Sequence, residues 1–104
     1  MMKKVIRLDK RASREIKKFP SQVQAKIKAY LILLARNGKL EEPFAKKVDA
    51  KLFEIRIKYE GQWRILYAYL VDDAVVVLSA FHKKTQKAPI KELETARSRL
   101  REYV

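Results

Sequence analysis

Apolar and polar residues change their spacing along the chain, and each change marks an element. Lys4 to Leu8 is a short β-prone run. Asp9 then offers an N-cap to a helix whose apolar face is Ala12, Ile16 and Phe19, and Pro20 stops it. Ser21 and Gln24 read as the capping box of a second helix, with Val23, Ile27, Tyr30, Leu31 and Leu34 on its apolar face and Asn37-Gly38 at its end. Residues 39–50 contain Pro43, mixed charges and no sustained period, which predicts a loop.

From Leu52 the period becomes two: Phe53, Ile55 and Ile57 alternate with Glu54, Arg56 and Lys58. Tyr59-Glu60-Gly61 reads as a three-residue hairpin loop with Gly61 in the left-handed position, which pairs Lys58 with Gln62 and sets Arg56 opposite Arg64. Trp63–Val71 and Ala74–Phe81 are near-continuous apolar runs joined at Asp72-Asp73, the mark of strands covered on both faces. Pro89 starts a last helix carrying Ile90, Leu93, Ala96, Leu100 and Tyr103 at helical offsets, and Ala88 before it is a poor cap, so that start is expected to fray. The order β-α-α-β-β-β-α predicts one α+β domain over residues 1–104: an N-terminal helical hairpin on a small antiparallel-rich sheet, closed by a C-terminal helix.

Charge changes the picture from fold to partner. The chain has 104 residues with 25 Lys plus Arg against 12 Asp plus Glu, a formal charge of +13. Such an excess repels itself in the compact state, and a polyanion relieves it. The apolar segment 61–81 carries one basic and two acidic groups, so the charge lies on the elements around it. Cysteine is absent, which excludes a disulfide scaffold and a thiolate-held metal; the single His argues against a His-based metal cluster. Met1-Met2-Lys3-Lys4 leads into mixed sequence rather than an apolar leader, and no run is long enough for a membrane span, so the expected location is the cytoplasm.

Two groups of residues carry candidate chemistry. Like charges directly opposite on an antiparallel pair are destabilising, so the facing Arg56 and Arg64 either converge on an anion such as phosphate or are neutralised by Glu54 or Asp49 and solvent. The second group, His82, Lys83, Lys84, Thr85 and Lys87, follows directly where the last strand stops. Cutting RNA without a metal takes a base for the 2′-hydroxyl proton, cations for the phosphate charge and an acid for the leaving oxygen. His82 alone has an ordinary pKa near neutrality; its plainer reading is a surface imidazole beside solvated lysines. Trp63, Tyr67, Tyr69 and Phe81 are read as core, and Tyr59 in the turn as the better exposed candidate for stacking on a base. No serine sits in a nucleophile-elbow context.

The Asp9–Pro20 opening, the Leu52-Phe53-Glu54-Ile55-Arg56 and Trp63-Arg64-Ile65-Leu66-Tyr67 strands, and the segment from Phe81-His82-Lys83-Lys84 to Pro89 resemble the RelE/HigB toxin superfamily, in its phage-derived Gp49-like (HigB-like) branch. The resemblance spans essentially the whole chain. It implies a type II toxin that enters the ribosomal A site and cleaves mRNA there through 2′-hydroxyl attack, with no metal or other cofactor. It also implies a cognate antitoxin carrying a helix-turn-helix DNA-binding domain. Carried over by position, it points to Arg56, Arg64 and Lys83 or Lys84 as catalytic, with His82 an alternative, and leaves Lys58, Tyr59 and Lys87 to hold substrate. Glu54 departs from the pattern, standing where several relatives have a basic residue. Tyr103-Val104 departs too, lacking the catalytic tyrosine context of some members. A basic RNA-binding protein without catalysis is the alternative. A DNA-reading helix-turn-helix in the first two helices fits poorly, because Pro20-Ser21 is too tight a junction.

Overall fold

Asp9 caps the first helix as its residue type predicts, accepting the Arg11 backbone N–H on Oδ1 at 2.9 Å. Around that cap, the computed structural model describes residues 2–104; Met1, the first residue of the expected domain, lies outside it. The elements are β1 (Val5–Leu8), α1 (Lys10–Lys17), α2 (Ser21–Asn37), β2 (Ala45–Lys47), β3 (Phe53–Lys58), β4 (Gln62–Leu70), β5 (Ala74–Lys83) and α3 (Ile90–Leu100). One five-stranded sheet runs in the order β1-β5-β4-β3-β2. β1 lies parallel to β5, and the other neighbours are antiparallel.

The sheet is apolar on both faces, as the unbroken runs of β4 and β5 require. Ile55, Ile57, Trp63, Ile65, Tyr67, Val75 and Val77 pack against Ala12, Val23, Ile27 and Leu34 of α1 and α2. Leu66, Ala68, Leu70, Val76 and Leu78 pack on the other face against Ala96 and Leu100 of α3. Each such fully buried aliphatic side chain stabilises the fold by roughly 1.5–3 kcal/mol, so both layers are needed. Ile90, at a helical offset in the sequence, instead lies exposed at the start of α3.

Four local expectations are corrected. Residues 39–50 are not all loop: Ala45–Lys47 adds a short edge strand to β3. Ser21 is not a cap, because Pro20 occupies the N-cap position; the Ser21 hydroxyl donates to Gln22, and the Gln24 amide reaches back to the Phe19 carbonyl at 2.9 Å. In the β3–β4 turn the left-handed residue is Glu60 (φ 44°), and Gly61 takes φ 120°. Val71 lies beyond the end of β4, fully exposed. The second helix ends as expected, on Gly38 in the left-handed conformation (φ 81°).

Candidate functional site

The β3–β4 turn sets the register that matters: Lys58 pairs with Gln62, and Arg56 faces Arg64 directly. β5 continues the row, with Phe81 opposite Arg64. Because side chains alternate along a strand, Glu54, Arg56, Arg64, Phe81 and Lys83 all project to the α3 face. There Lys46, Lys47, Glu54, Arg56, Arg64 and Lys83, with the segment before α3, line a cleft of about 380 Å³. A larger cavity, about 580 Å³, lies between β1 and α2 and is lined almost wholly by apolar side chains.

Glu54 resolves the like-charge problem that Arg56 and Arg64 pose. Its buried carboxylate brings Oε1 to 3.0 Å from Arg56 Nε and 3.4 Å from Arg64 Nε. It therefore serves both arginines, while Asp49, the other candidate counter-charge, pairs with Arg97 of α3 at 2.6 Å. Five cations and one carboxylate leave the cleft strongly positive, a donor set suited to phosphate oxygens.

Arg64 is 8% exposed. Its Nη1 donates to Gln62 Oε1 at 3.1 Å and to the Trp63 carbonyl at 3.2 Å, while Nε is buried without a hydrogen-bond acceptor. The Glu54 carboxylate 3.4 Å away compensates the charge at Nε without forming a hydrogen bond of good geometry. Burial draws its pKa below the ordinary arginine value; the Glu54 charge opposes this and the Arg56 charge adds to it. Arg56 is more open, and only its Nε is taken, by Glu54.

The remaining predicted residues divide. Lys83 lines the cleft, its ammonium donating to the Thr85 carbonyl at 3.0 Å. His82 belongs to the opposite face: it pairs across the ladder with Trp63 and stacks on that indole, centroids 4.1 Å apart and planes 11° apart. The structure therefore does not bring the imidazole to the arginines. Lys84 is exposed and lines a separate hollow of about 220 Å³ beside the start of α3. Lys58 shares the arginine face one row further along, exposed, and Lys87 is exposed in the segment before α3. Tyr59 packs partly buried against the helix-side core, and its carbonyl accepts Trp63 Nε1–H at 2.8 Å, so it is less open than the turn position suggested. Trp63 and Tyr67 are core, as read from the sequence. Lys46 and Lys47 escaped the sequence reading, since three residues without alternation carry no strand signal.

Comparison with known proteins follows the same lines. The family model described as phage-derived protein Gp49-like matches residues 14–101. Among curated proteins no match was found. Among solved structures, an arginine-substituted double mutant of the Escherichia coli toxin RelE in the free state superposes with a TM-score of 0.72 at 22% identity, covering 95% of this chain and 99% of that one. The intact E. coli RelBE toxin–antitoxin complex gives 0.65 at 20% identity, covering 79% and 99%. The RelBE2 toxin–antitoxin complex of Mycobacterium tuberculosis gives 0.61 at 22%, covering 77% and 98%. The three share the mixed fold of helices on one sheet.

Proposed function

The chain belongs to the phage-derived Gp49-like family, whose model spans residues 14–101, and from that premise we propose that it is the toxin of a type II toxin–antitoxin pair, acting as a ribosome-dependent endoribonuclease on mRNA. The observation that carries this reading is the Arg56–Arg64 pair, held opposite one another around Glu54 in a cleft with Lys46, Lys47 and Lys83. The fold it shares with RelE toxins supports it.

In the proposed reaction the RNA 2′-oxygen forms a bond to the adjacent phosphorus and the bond to the 5′-oxygen breaks, leaving a cyclic phosphate and a free 5′-hydroxyl. Charge grows on the non-bridging phosphate oxygens, where the free donors of Arg56 and the Arg64 guanidinium stabilise it; one such preorganised donor is worth about 10²–10³ in rate. Glu54 is the one carboxylate of the cleft lining and the group suited to take the 2′-hydroxyl proton. In this scheme Lys83, on the wall of the cleft, protonates the leaving oxygen. Lys58, Lys84 and Lys87 extend the positive surface along the path of the strand. His82, stacked on Trp63, has no part in this scheme.

The partners proposed are the A site of the ribosome with its message, and an antitoxin bearing a helix-turn-helix domain. The RelE-type complexes with antitoxins support an antitoxin partner; its helix-turn-helix domain rests on the family resemblance. Such a protein works in the cytoplasm, and among the described residues no helix is long and apolar enough to cross a membrane. One observation favours the alternative, a basic RNA-binding protein without catalysis: the cleft holds no imidazole. The experiment that separates the two maps message ends after translation in vitro. Breaks within the coding region that appear with wild type and vanish with Arg64→Ala, while RNA binding persists, support the nuclease; binding without breaks supports the alternative.

A further inference from the structure

β5 meets β4 in a register that its own apolar pattern does not choose. Tyr67 faces Val77 and Leu66 faces Ser79, so Leu78 is an extra residue, and beyond it Phe81 faces Arg64, His82 faces Trp63 and Lys83 faces Gln62. Without that bulge each place along the rim would be filled by the preceding residue. Ser79 and Phe81 would replace Ala80 and His82 on the helix side, and His82 would replace Lys83 on the face of the arginines. Burial hardly separates the two registers. Ser79 is already buried with no partner for its hydroxyl, and Trp63 would find a ring across the ladder in either case. Residues 84–89, outside any helix or strand, can take up the slack of a shift by one residue.

The free edge of β5 does separate them. β1 accompanies β5 only as far as Leu8, opposite Val77, where the Asp9 N–H closes on the Val77 carbonyl at 3.0 Å. Two side chains take over from there. Arg99 of α3 donates through Nη1 to the Leu78 carbonyl at 2.7 Å, and Glu15 of α1 accepts the Ala80 N–H on Oε1 at 3.1 Å. The two side chains also hold each other, Arg99 Nη1 to Glu15 Oε1 at 3.1 Å and Nη2 to Oε2 at 3.0 Å. The Arg99 side chain is only 13% exposed, which keeps these charge-assisted bonds strong. In an unbulged strand the amide pointing outward beyond Val77 would be that of Ser79, not of Ala80. The clamp therefore fits the bulged register alone.

We propose that Glu15 and Arg99 are positioning residues for the arginine cleft: gripping the bulge from two helices, they keep Lys83, rather than His82, on the face that carries Arg56 and Arg64. The register stands by itself, and its consequence for cleavage rests on the nuclease reading.

Register and chemistry are read separately in the full chain. Arg99→Met removes the donors of the clamp and Glu15→Gln its charge, while Arg97→Met, which breaks the pair with Asp49 on the same helix, is the control. Cross-strand NOEs report the register. Trp63 is expected to contact His82 in wild type and Arg97→Met, Phe81 in Arg99→Met, and both in Glu15→Gln. Single-turnover message cleavage by Arg99→Met should fall about a hundredfold, the scale of a displaced reacting group. Its residual rate should gain a titration between about pH 5 and 8, which His82→Phe in the same background removes and Arg97→Met lacks. Trp63 contacts confined to His82 in both clamp variants, or the same slip in Arg97→Met, would overturn the proposal. So would a slipped register that cuts messages at the wild-type rate and with the wild-type pH profile. If Arg99→Met does not fold, the milder Glu15→Gln, which keeps an acceptor for the Ala80 amide, decides by the same contacts. A wild type that leaves messages whole would count against the nuclease reading only, because the NOEs still decide the register.

Discussion

His82 lies flat on Trp63, and that stack turns the chain's one imidazole away from Arg64. The cause is a register shift between Leu66 and Tyr67: Leu66 faces Ser79 while Tyr67 faces Val77, so Leu78 is an extra residue on β5. Without it, counting back from the Leu70–Ala74 pair would set His82 opposite Gln62, on the arginine face. His82→Phe keeps a ring over the indole and is expected to preserve both melting temperature and message cleavage. His82→Ala should lower stability by about 1 kcal/mol, the scale of an aromatic pair, and leave single-turnover cleavage near the wild-type rate. A large loss of rate in folded His82→Phe would restore the imidazole to the mechanism.

Gly61 belongs to the same stack. A Cβ there would fall 2.6 Å from His82 Nε2, on a backbone with φ 120° that side chains rarely adopt. Gly61→Ala should therefore cost about 1–3 kcal/mol. Part of that cost is the clash, so the same substitution in a His82→Ala background should cost less. A double-mutant cycle by denaturant unfolding reads the difference, and equal costs in both backgrounds would leave only the backbone term.

Glu54 separates binding from chemistry. Glu54→Gln removes the counter-charge that Arg56 and Arg64 share, so the cleft becomes more positive and RNA should bind more tightly at low salt. Stability should fall by about 1–3 kcal/mol, because Arg64 stays buried with its partner gone. Message cleavage should fall despite the tighter binding. Filter binding across a salt series, set beside single-turnover cleavage, checks the opposed signs; a fall in both would make Glu54 a support for the arginines alone.

Asp9 gives the fold an acid-sensitive joint. Its carboxylate accepts from Arg11 and from the Tyr103 hydroxyl at 2.8 Å, tying the end of the chain to the start of α1. The Arg11 side chain holds its pKa well below the ordinary carboxylate range; burial opposes this, and the Tyr103 and Arg11 backbone hydrogen bonds add to it. A depressed folded pKa contributes stability that is present above the unfolded value of about 3.9 and lost as pH falls below it. Asp9→Asn retains a capping oxygen but not the charge. It should cost about 1–2 kcal/mol at neutral pH and flatten the fall in melting temperature below about pH 4. An acid limb as steep as the wild type's would place the sensitivity in other carboxylates.

How far the sequence could be read follows from the range of each interaction. The Arg56–Arg64 opposition was legible because a three-residue loop fixes the β3–β4 register locally. The two-sided sheet was legible in the unbroken apolar runs of β4 and β5. β2 was not, since Ala45-Lys46-Lys47 is a strand only because β3 offers it an edge. The capping box failed because Pro20, with its fixed φ, begins α2 one residue before Ser21. The division of the site between two faces hung on one extra residue in β5, and continuous apolar runs give no alternation from which to count it.

The most direct test of the cleft as the reaction site is single-turnover cleavage of a message on translating ribosomes by wild type, Arg64→Ala and Arg64→Lys, each with its melting temperature. The expected result is a loss of about 10²–10³ in rate for Arg64→Ala, incomplete recovery with Arg64→Lys, which lacks the forked donors, and folded protein in every case. Cleavage by folded Arg64→Ala at the wild-type rate would contradict it.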